Sequence, residues 1–303
     1  MLGLKSATFG LDIGFNTLKV VEVKGTGKGA HLVGAAELPI PENSLNKNGI
    51  QKRNELSQVI RQATLVAKPH RIGANIAVCG LPESLVFTKT LDLPKMNDAE
   101  IAKNIPFQAK DFLPLPIEET YMDWQTVGIL PDGKIEVLMV ATPKVIVDAI
   151  IDTVKLAGFE LLGLDTKPVA LTRALVEEKD TNGYLILDIG AQTSSITCYD
   201  QGTVKLTSTI ACGGDKVREE PTSALKVISN EVMHSVKYYQ NRIGQTQVFR
   251  KIILAGGGAN LPDVARIIEG LLKIRTEIGK PVADIKDYNP KFASALGLAM
   301  KEI

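Results

Sequence analysis

Two stretches of the sequence echo each other: FGLDIGFNTLKVVEV at residues 9–23 and LILDIGAQTSSITCY at residues 185–199. The tetrapeptide LDIG occurs at 11–14 and again at 187–190. In each copy, apolar residues on both sides of a glycine-containing turn predict a pair of strands. A repeat at this distance predicts two related domains, because a solenoid would repeat at a period of roughly 20–50 residues.

The composition is that of an ordinary soluble globular protein and argues against several kinds of partner. The chain has 303 residues, enough for two domains, of which 45% are hydrophobic and 23% charged. A formal net charge of +1 and an aromatic content of 5% predict no nucleic-acid partner. Because no apolar run approaches the ~20 residues of a membrane span and the first residues do not resemble a secretory signal, we expect a cytoplasmic protein.

The cysteines and histidines predict neither a metal site nor a catalytic set. Cys79, Cys198 and Cys212 lie far apart and fit no zinc motif, so we interpret them as buried thiols. The three histidines are equally isolated, which leaves no candidate Ser-His-Asp arrangement. We therefore name no catalytic residue.

The turn of the first LDIG copy carries groups that suit a phosphate. Several N–H donors must converge on phosphate oxygens, and Gly14 lets the backbone approach closely enough to supply them. Asp12 could hold a water of a Mg²⁺ ion, and Lys19 would add positive charge. The predicted binding residues of this loop are Asp12, Gly14, Phe15, Asn16, Thr17 and Lys19. Taken alone, the loop is explained equally well by a plain hairpin with a surface aspartate.

The second LDIG copy offers the same parts in Asp188, Gly190, Ala191 and Thr193. Two such loops facing each other could clamp a triphosphate and its metal between two domains, with Asp12 and Asp188 both acting on the metal through water. The pair of loops is therefore a more specific signal than either copy.

Two glycine clusters predict contacts to the rest of the nucleotide. The first cluster follows an apolar strand and comprises Gly256, Gly257, Gly258 and Asn260. It would allow a base or ribose to approach the backbone, and the alternative is a simple helix-entry loop. The second cluster, Gly213 with Gly214, is a weaker candidate for a ribose contact, and the alternative is an ordinary turn.

The stretch at 84–160, between the two halves, has a different pattern of predicted elements. Asn97 and Glu100 form a capping-box pattern at the start of a predicted helix. A proline-rich loop, FLPLPIEE, follows at 112–119, and a strand is predicted at 134–142. These signals predict a small α+β subdomain inserted into the first half.

The resulting domain division has three parts. We predict that residues 1–83 plus 161–180 form the first domain, 84–160 the inserted α+β subdomain, and 181–303 the second domain. The second domain is shortened near 216–222.

The motifs in this order resemble the superfamily of actin, sugar kinases and heat-shock chaperone ATPases, an α/β fold with duplicated ribonuclease H-like domains. Within it the chain resembles the PilM family of type IV pilus assembly proteins. The segments that carry this resemblance are DIGFNTLKVVEVK, FLPLPIEE, IACGGD, VKYYQNRI and ILAGGGANLP. The phosphate motifs indicate only the superfamily, and FLPLPIEE with its position narrows the resemblance to PilM.

The resemblance implies a cytoplasmic protein that binds ATP or ADP with Mg²⁺ as part of the pilus assembly platform. It implies docking at the inner membrane through the N-terminal peptide of a PilN-type membrane protein. In the family that peptide lies in a groove between the first subdomain and the inserted one. Other platform proteins are implied partners, and self-association is left open.

The segment that connects the two halves departs from the family. It contains Lys167 before Pro168, where relatives typically carry Glu. In the superfamily that carboxylate helps to orient the attacking water, and a charged lysine cannot act as a base at neutral pH. We therefore expect weak or absent hydrolysis. The alternative is that Lys167 is solvated and another group positions the water.

A second departure lies between Asp215 and the long helix predicted from 222. Family members have several tens of additional residues there, which build a lobe of the second domain and part of the adenine pocket. Here 216–221 lead directly into the helix. We expect this lobe to be absent and the nucleotide affinity to be reduced.

Two other function classes compete with this interpretation. One is an ATP-hydrolysing filament former of the FtsA or MreB kind. FtsA-like proteins usually end in an amphipathic membrane helix after a linker. We expect no such segment after the last predicted helix of this chain, which argues against a filament former. The other is a sugar or acetate kinase, which needs a catalytic aspartate in a substrate cleft, and the sequence contains no motif for one.

Overall fold

The computed structural model describes residues 7–46, 48–130, 132–246 and 248–302. The strands are β1 (Thr8–Ile13), β2 (Thr17–Lys24), β3 (His31–Pro39), β4 (Leu45–Asn46), β5 (Gly49–Ile50), β6 (Lys68–Pro69), β7 (Ile76–Leu81), β8 (Phe87–Leu93), β9 (Thr120–Ile129), β10 (Ile135–Pro143), β11 (Glu160–Thr166), β12 (Gly183–Ile189), β13 (Ser194–Asp200), β14 (Thr203–Ile210), β15 (Phe249–Ala255) and β16 (Thr276–Ile278). The helices are α1 (Arg53–Val66), α2 (Asp98–Ala109), α3 (Lys144–Leu156), α4 (Lys167–Leu175), α5 (Gly214–Glu219), α6 (Pro221–Ile243), α7 (Val264–Leu272) and α8 (Ala293–Ala299).

The two large sheets repeat one topology. The first has the order β11-β7-β1-β2-β3-β6, and the second has the order β14-β13-β12-β15-β16. In each, an antiparallel hairpin that contains LDIG forms the centre, and parallel strands flank its first member. The strand that follows each hairpin, β3 in the first sheet and β14 in the second, pairs antiparallel with the second strand of that hairpin. The prediction of two related domains in an actin-like α/β fold is confirmed.

Helix α8 crosses from the second half of the chain onto the first sheet. It packs against β1 and α4, and every residue of the helix is buried. Gly10 on β1 permits this approach, because a Cβ there would overlap the carbonyl oxygen of Ala295. Gly297 plays the same part toward α4, where a Cβ would overlap the carbonyl oxygen of Ala170. The crossing therefore depends on two positions that lack a side chain.

The inserted subdomain is built on the three-stranded sheet β8-β10-β9 with α2 packed on one face. The predicted capping box is present at the start of α2. The Asn97 side chain accepts a hydrogen bond from the Glu100 N–H at 3.1 Å, and the Glu100 carboxylate accepts one from the Asn97 N–H at 2.8 Å. Ile101, Ile105 and Met139 lie in the core between helix and sheet.

Helix α3 belongs to a different core from that of the inserted sheet. Its residues Ile146, Ala149 and Ile150 pack in the apolar cluster of the first large sheet, beside α1. The predicted boundary of the inserted subdomain at 160 placed this helix in the insertion. We propose instead that the inserted unit ends at Pro143, where β10 gives way to α3.

A buried ion-pair network ties the inserted sheet to the second domain. The Lys205 ammonium on β14 lies 3.1 Å from the Glu136 carboxylate on β10 and donates to the Val127 carbonyl at 2.6 Å. Arg242 on α6 lies 3.2 Å from Glu136 and also pairs with Asp92. The side chains of Lys205 and Glu136 are only 1% and 5% exposed. These charges fix how the insertion sits on the second domain.

The second domain is short where the sequence predicted it to be. Helix α5 ends at Glu219 and α6 begins at Pro221, so no further lobe intervenes between them. Among the helices of the described residues, none is long and apolar enough to cross a membrane. The three cysteines, all within the described part of the chain, are buried and free, as predicted.

Candidate functional site

The two LDIG turns face each other across a cleft of about 360 Å³ between the domains. The predicted binding residues that line it are Asp12, Gly14, Phe15, Asn16, Thr17, Lys19, Asp188, Gly190, Ala191, Thr193, Gly214, Gly256, Gly257, Gly258 and Asn260. Gly213 does not line the cleft. A Cβ at Gly213 would overlap the carbonyl oxygen of Ala191, so this glycine instead lets the start of α5 pack on the second turn.

The two turns have the same hydrogen bond. The Gly14 N–H donates to the Thr17 carbonyl at 3.0 Å, and the Gly190 N–H donates to the Thr193 carbonyl at 3.0 Å. This bond closes each turn and bends the chain sharply at the glycine. The repeat in sequence is therefore a repeat in backbone geometry at the cleft.

Each turn presents unused backbone donors. Among the described residues, the backbone N–H groups of Phe15, Asn16, Ala191 and Gln192 donate to no protein acceptor. All four residues line the cleft. Converging free N–H groups are the donors that a phosphate oxygen requires. The arrangement suits an anion held between the turns.

The glycine cluster after β15 packs directly on the second turn. Gly256 has a φ of +80°, and a Cβ there would overlap the Asp188 carboxylate. A Cβ at Gly258 would overlap the side chain of Ile189. The segment Gly257–Asn260 forms a short 3-10 turn before α7. The cluster therefore leads into a helix and also lines the cleft, and its contact to a base or ribose stays a prediction.

Lys167 lies in the cleft and is not solvated. Its ammonium is 2.7 Å from the Asp12 carboxylate, and the two side chains are 16% and 8% exposed. Burial opposes the charge on Lys167, but the carboxylates of Asp12 and Asp188 raise its pKa above the ordinary value. Burial also opposes the charge on Asp12, yet Lys167 and Lys19 hold the pKa of that carboxyl below its ordinary value. The pair is therefore ionised on both sides.

Two further carboxylates of the cleft, Asp188 and Glu83, have pKa values raised by burial. Burial raises the pKa of Asp188 above its ordinary value, and the attraction of Lys167 offsets this only in part. Burial, with a contribution from Asp188, raises the pKa of Glu83 to about 7 against the pull of Lys167. Within the described residues, Oε2 of Glu83 is buried without a hydrogen-bond partner. Two acidic groups of the cleft are thus harder to ionise than in water.

Sequence reasoning missed Glu83 as a residue of this site. The strands β1, β7 and β11 are parallel neighbours, so their carboxyl ends meet at one edge of the sheet. Asp12, Glu83 and Lys167 each lie at such an end. The available signal was the apolar stretch IAVCGL at 76–81, which ends two residues before Glu83. Lys291 was also missed, and it lines the cleft while pairing with Glu37 at 2.6 Å.

The donor set does not fit the expected hydrated Mg²⁺. Lys167 already occupies the Asp12 carboxylate, and its positive charge repels a second cation at this position. Among the described residues, no group of three or more acidic, histidine or cysteine side chains is arranged for a metal. The backbone donors of the cleft therefore suit the predicted phosphate, whereas its side chains do not suit the predicted metal.

A second groove, of about 400 Å³, lies between the inserted sheet and the first large sheet. It runs along β9 and β11, which are edge strands of their sheets. Tyr121, Val140 and Val169 give it apolar walls, and Trp124, the only tryptophan of the chain, also lines it. An edge strand offers unpaired backbone donors and acceptors to an incoming segment.

The comparison with protein families shows to which family the chain belongs. The family described as type IV pilus assembly protein PilM matches residues 10–227. The chain belongs to the PilM family. The family of the cell division protein FtsA also matches, over residues 185–297.

Individual relatives of this PilM-family chain are distant. FtsA of Bacillus subtilis is 20% identical over an alignment of 272 residues, and the alignment covers 80% of this chain and 61% of FtsA. This chain thus spans less than two thirds of that relative.

Solved structures share the fold. The PilM-PilN type IV pilus biogenesis complex contains a chain with 22% identity and a TM-score of 0.81, and the match covers 97% of this chain and 98% of that one. The ethanolamine utilization protein EutJ of Carboxydothermus hydrogenoformans has 15% identity and a TM-score of 0.55, with 97% and 89% covered. These similarities agree with the actin-like architecture of the two sheets.

Replacing Glu83 with glutamine should change how the stability of this PilM-family chain depends on pH. The folded state raises the pKa of Glu83 from an ordinary 4.5 to about 7. The folded state therefore binds this proton more tightly, and the resulting stabilisation is complete below about pH 4.5 and lost as the pH rises toward 7. Glutamine cannot ionise and keeps its stabilisation at every pH. The free energy of unfolding of Glu83→Gln relative to wild type should therefore rise by roughly 2–3 kcal/mol as the pH increases from about 5 to about 8.

Urea unfolding of both proteins across this pH range measures the difference. Glu42→Gln, at an exposed position, is the matched control and should follow wild type. A difference between Glu83→Gln and wild type that stays constant with pH would contradict the assignment.

Proposed function

We propose that this PilM-family chain is a binding module of a type IV pilus assembly platform. It holds the cytoplasmic N-terminal peptide of a PilN-type inner-membrane protein, and this contact places it at the inner face of that membrane. A nucleotide in the cleft, ATP or ADP, acts as a structural or regulatory ligand. The observation that carries the proposal is the groove between two edge strands in a chain of the PilM family.

The groove suits an extended peptide. Peptides of this kind bind by adding a strand to a sheet edge, while pockets beside the edge accept alternate side chains. Both β9 and β11 offer an edge here, one on each side of the same groove. Backbone pairing would supply affinity, and the apolar walls at Tyr121, Val140 and Val169 would select apolar side chains.

Family membership supports the choice of partner. The solved relative with a TM-score of 0.81 is described as a PilM-PilN complex. That partner is proposed here for this chain, and the groove is proposed as its site. The location between the first domain and the insertion agrees with the position expected from the family resemblance.

Replacing Val140 with glutamate should weaken binding of the peptide. Val140 lies on β10, lines the groove and is only partly exposed. A bound apolar peptide would bury the new carboxylate without a partner, which costs free energy. We expect the affinity to fall at least about tenfold, or roughly 1.4 kcal/mol.

The titration follows Trp124 fluorescence while a synthetic copy of the N-terminal segment of the PilN-type protein is added. Ile129→Glu is the matched control, because Ile129 lies on the same inserted sheet, outside the groove, and is 73% exposed. It should bind like wild type. Failure of wild type to bind the peptide, or equal binding by Val140→Glu, would contradict the proposed groove.

The cleft supports nucleotide binding more strongly than hydrolysis. Free N–H groups from both turns suit phosphate oxygens. Lys167 stands where a water-orienting carboxylate is expected, and it is paired with Asp12. Because α5 leads directly into α6, the adenine pocket lacks one wall. We expect binding of ADP and ATP with dissociation constants of tens of micromolar or weaker, and slow or absent turnover.

Isothermal titration calorimetry with each nucleotide tests this part of the proposal. Submicromolar binding would contradict the role given to the missing lobe. The absence of heat with both nucleotides at millimolar concentration would remove the nucleotide from the proposed function, and it would leave the peptide site to be judged by the fluorescence titration.

A further inference from the structure

The cleft between the two LDIG turns contains a positively charged side chain, that of Lys167. Lys167 begins α4 directly after β11, and its ammonium lies 2.7 Å from the carboxylate of Asp12. Asp12 and Asp188 are the equivalent aspartates of the two turns, and both line the cleft with Lys167. We propose that Lys167 takes the place of the divalent metal, so that this cleft excludes Mg²⁺ and binds a nucleotide without it. The nucleotide half of this inference rests on the proposed function.

The charges of the cleft favour a lysine over a metal. Asp12, Asp188 and Glu83 place three acidic side chains around one ammonium. Mg²⁺ keeps most of its waters and needs room for an octahedral shell around a carboxylate. Here the carboxylate of Asp12 already bonds an ammonium at contact distance. A dication arriving beside it would meet repulsion from Lys167 and would have to displace it.

Lys167 has no alternative position in water. Its side chain is 16% exposed, and the acidic groups that attract it all line the same cleft. Leaving the pair would remove from the buried Asp12, whose side chain is 8% exposed, its counter-ion at contact distance, and only the more distant charge of Lys19 would remain among the described lysines that lower its pKa. The ammonium therefore stays near the two turns. There its remaining N–H donors can bond phosphate oxygens as a metal would otherwise do.

The other two lysines that line the cleft, Lys19 and Lys291, do not pair with an aspartate of the LDIG copies in this way. Lys19 lies 3.4 Å from Glu37 and donates to the Thr17 hydroxyl at 3.0 Å. Lys291 is paired with the same Glu37 at 2.6 Å. These contacts hold Lys19 and Lys291 at the Glu37 side of the cleft, whereas Lys167 is the lysine that bonds an aspartate of a turn.

Metal binding without nucleotide tests the inference directly. Electron paramagnetic resonance of free Mn²⁺ would be recorded with wild type, Lys167→Gln, Asp188→Asn and the double variant Lys167→Gln/Asp188→Asn. Wild type should take up no Mn²⁺ that depends on Asp188. Lys167→Gln should bind one Mn²⁺ at least about tenfold more tightly than any weak, Asp188-independent binding by wild type, and the added Asp188→Asn change should remove it. Lys226→Gln, an exposed lysine on α6, is the control and should match wild type.

The wild-type measurement does not depend on the folding of any Lys167 variant. If wild type binds one Mn²⁺ that Asp188→Asn removes, the inference is wrong. Circular dichroism melting of each variant checks that it is folded, and Lys167→Met provides a second neutral replacement should the glutamine variant not fold.

A nucleotide titration separates this inference from the proposed function. A fluorescent N-methylanthraniloyl-ADP would be titrated in MgCl₂ and in EDTA. Wild type should bind equally in both within about twofold, and Lys167→Gln should bind at least about tenfold more weakly in EDTA than in MgCl₂. Wild-type binding that requires Mg²⁺ would overturn the inference and leave the nucleotide site standing. No binding in either buffer would overturn the nucleotide site, and the Mn²⁺ measurement would still decide the role of Lys167.

Discussion

Replacing Gly297 with alanine should destabilise the protein by roughly 3 kcal/mol or more. Gly297 lies in α8, and a Cβ there would overlap the backbone carbonyl of Ala170 in α4. Backbone atoms cannot move aside as the end of a flexible side chain can, so the two helices must separate. Separation also weakens the 2.7 Å hydrogen bond from Arg173 to the Gly297 carbonyl. Because all of α8 is buried, the loss extends over the whole crossing.

Gly270 provides the matched control for this substitution. It also lies in a helix, α7, but a Cβ there would meet no atom within 4 Å. Alanine at Gly270 should stabilise the protein by about 0.5–1 kcal/mol, because it restricts the unfolded chain and favours the helix. Urea unfolding of the two variants and wild type measures both effects. A Gly297→Ala protein within about 1 kcal/mol of wild type would disprove the close crossing.

Replacing Glu136 with methionine should cost about 3–5 kcal/mol of stability. This change leaves the Lys205 ammonium, on a side chain that is 1% exposed, with the Val127 carbonyl as its one remaining partner among the described residues. Arg242 would lose its contact with Glu136 but keep its pair with Asp92. An uncompensated buried charge is far more costly than a missing salt bridge at the surface. The expected loss therefore comes from the stranded lysine.

A double variant distinguishes this cause from a loss of packing. Adding Lys205→Met to Glu136→Met removes the stranded charge and fills the space with apolar atoms, so most of the lost stability should return. Glu160→Met, at an exposed position on β11, should leave stability within about 0.5 kcal/mol of wild type. Equal instability of the single and double variants would show that the shape of the glutamate, and not the charge of Lys205, matters at this contact.

The same network connects the two proposed sites. Glu136 lies on β10, one strand from the edge at β9, and Lys205 and Arg242 belong to the second domain, which carries one wall of the nucleotide cleft. A loss of this contact would free the inserted sheet from the second domain. Measuring peptide affinity in Glu136→Met therefore tests whether the groove needs this support.

Local sequence was sufficient for the parts of the site that the backbone itself makes. The LDIG turns were predicted correctly in position and shape, because a strand ending in a glycine turn and returning as a strand is specified within about ten residues. The capping box of Asn97 and Glu100 was equally local. Glu83 and Lys291 were missed, since they come near the turns only when separate parts of the chain assemble.

The position of α3 shows the same limit at the level of domains. Its apolar face was visible in the sequence, but a helix with one apolar face can pack on any exposed sheet. The helix follows the inserted strands directly, which favoured assigning it to the insertion. We propose that it belongs with the first sheet, because Ile146 and Ile150 pack in the core there and the helix contacts α1.

The sequence by itself determined the duplicated α/β fold, the two glycine turns and the short connection after Asp215, because each is carried by strand patterns and turn residues that lie next to one another in the chain. Only the tertiary structure decided what Lys167 does. Alone it was a charged residue before a proline, equally compatible with a solvated side chain. Its partners Asp12, Asp188 and Glu83 come from three other strand ends, and an ion pair forms between whichever charges the fold brings within a few ångströms.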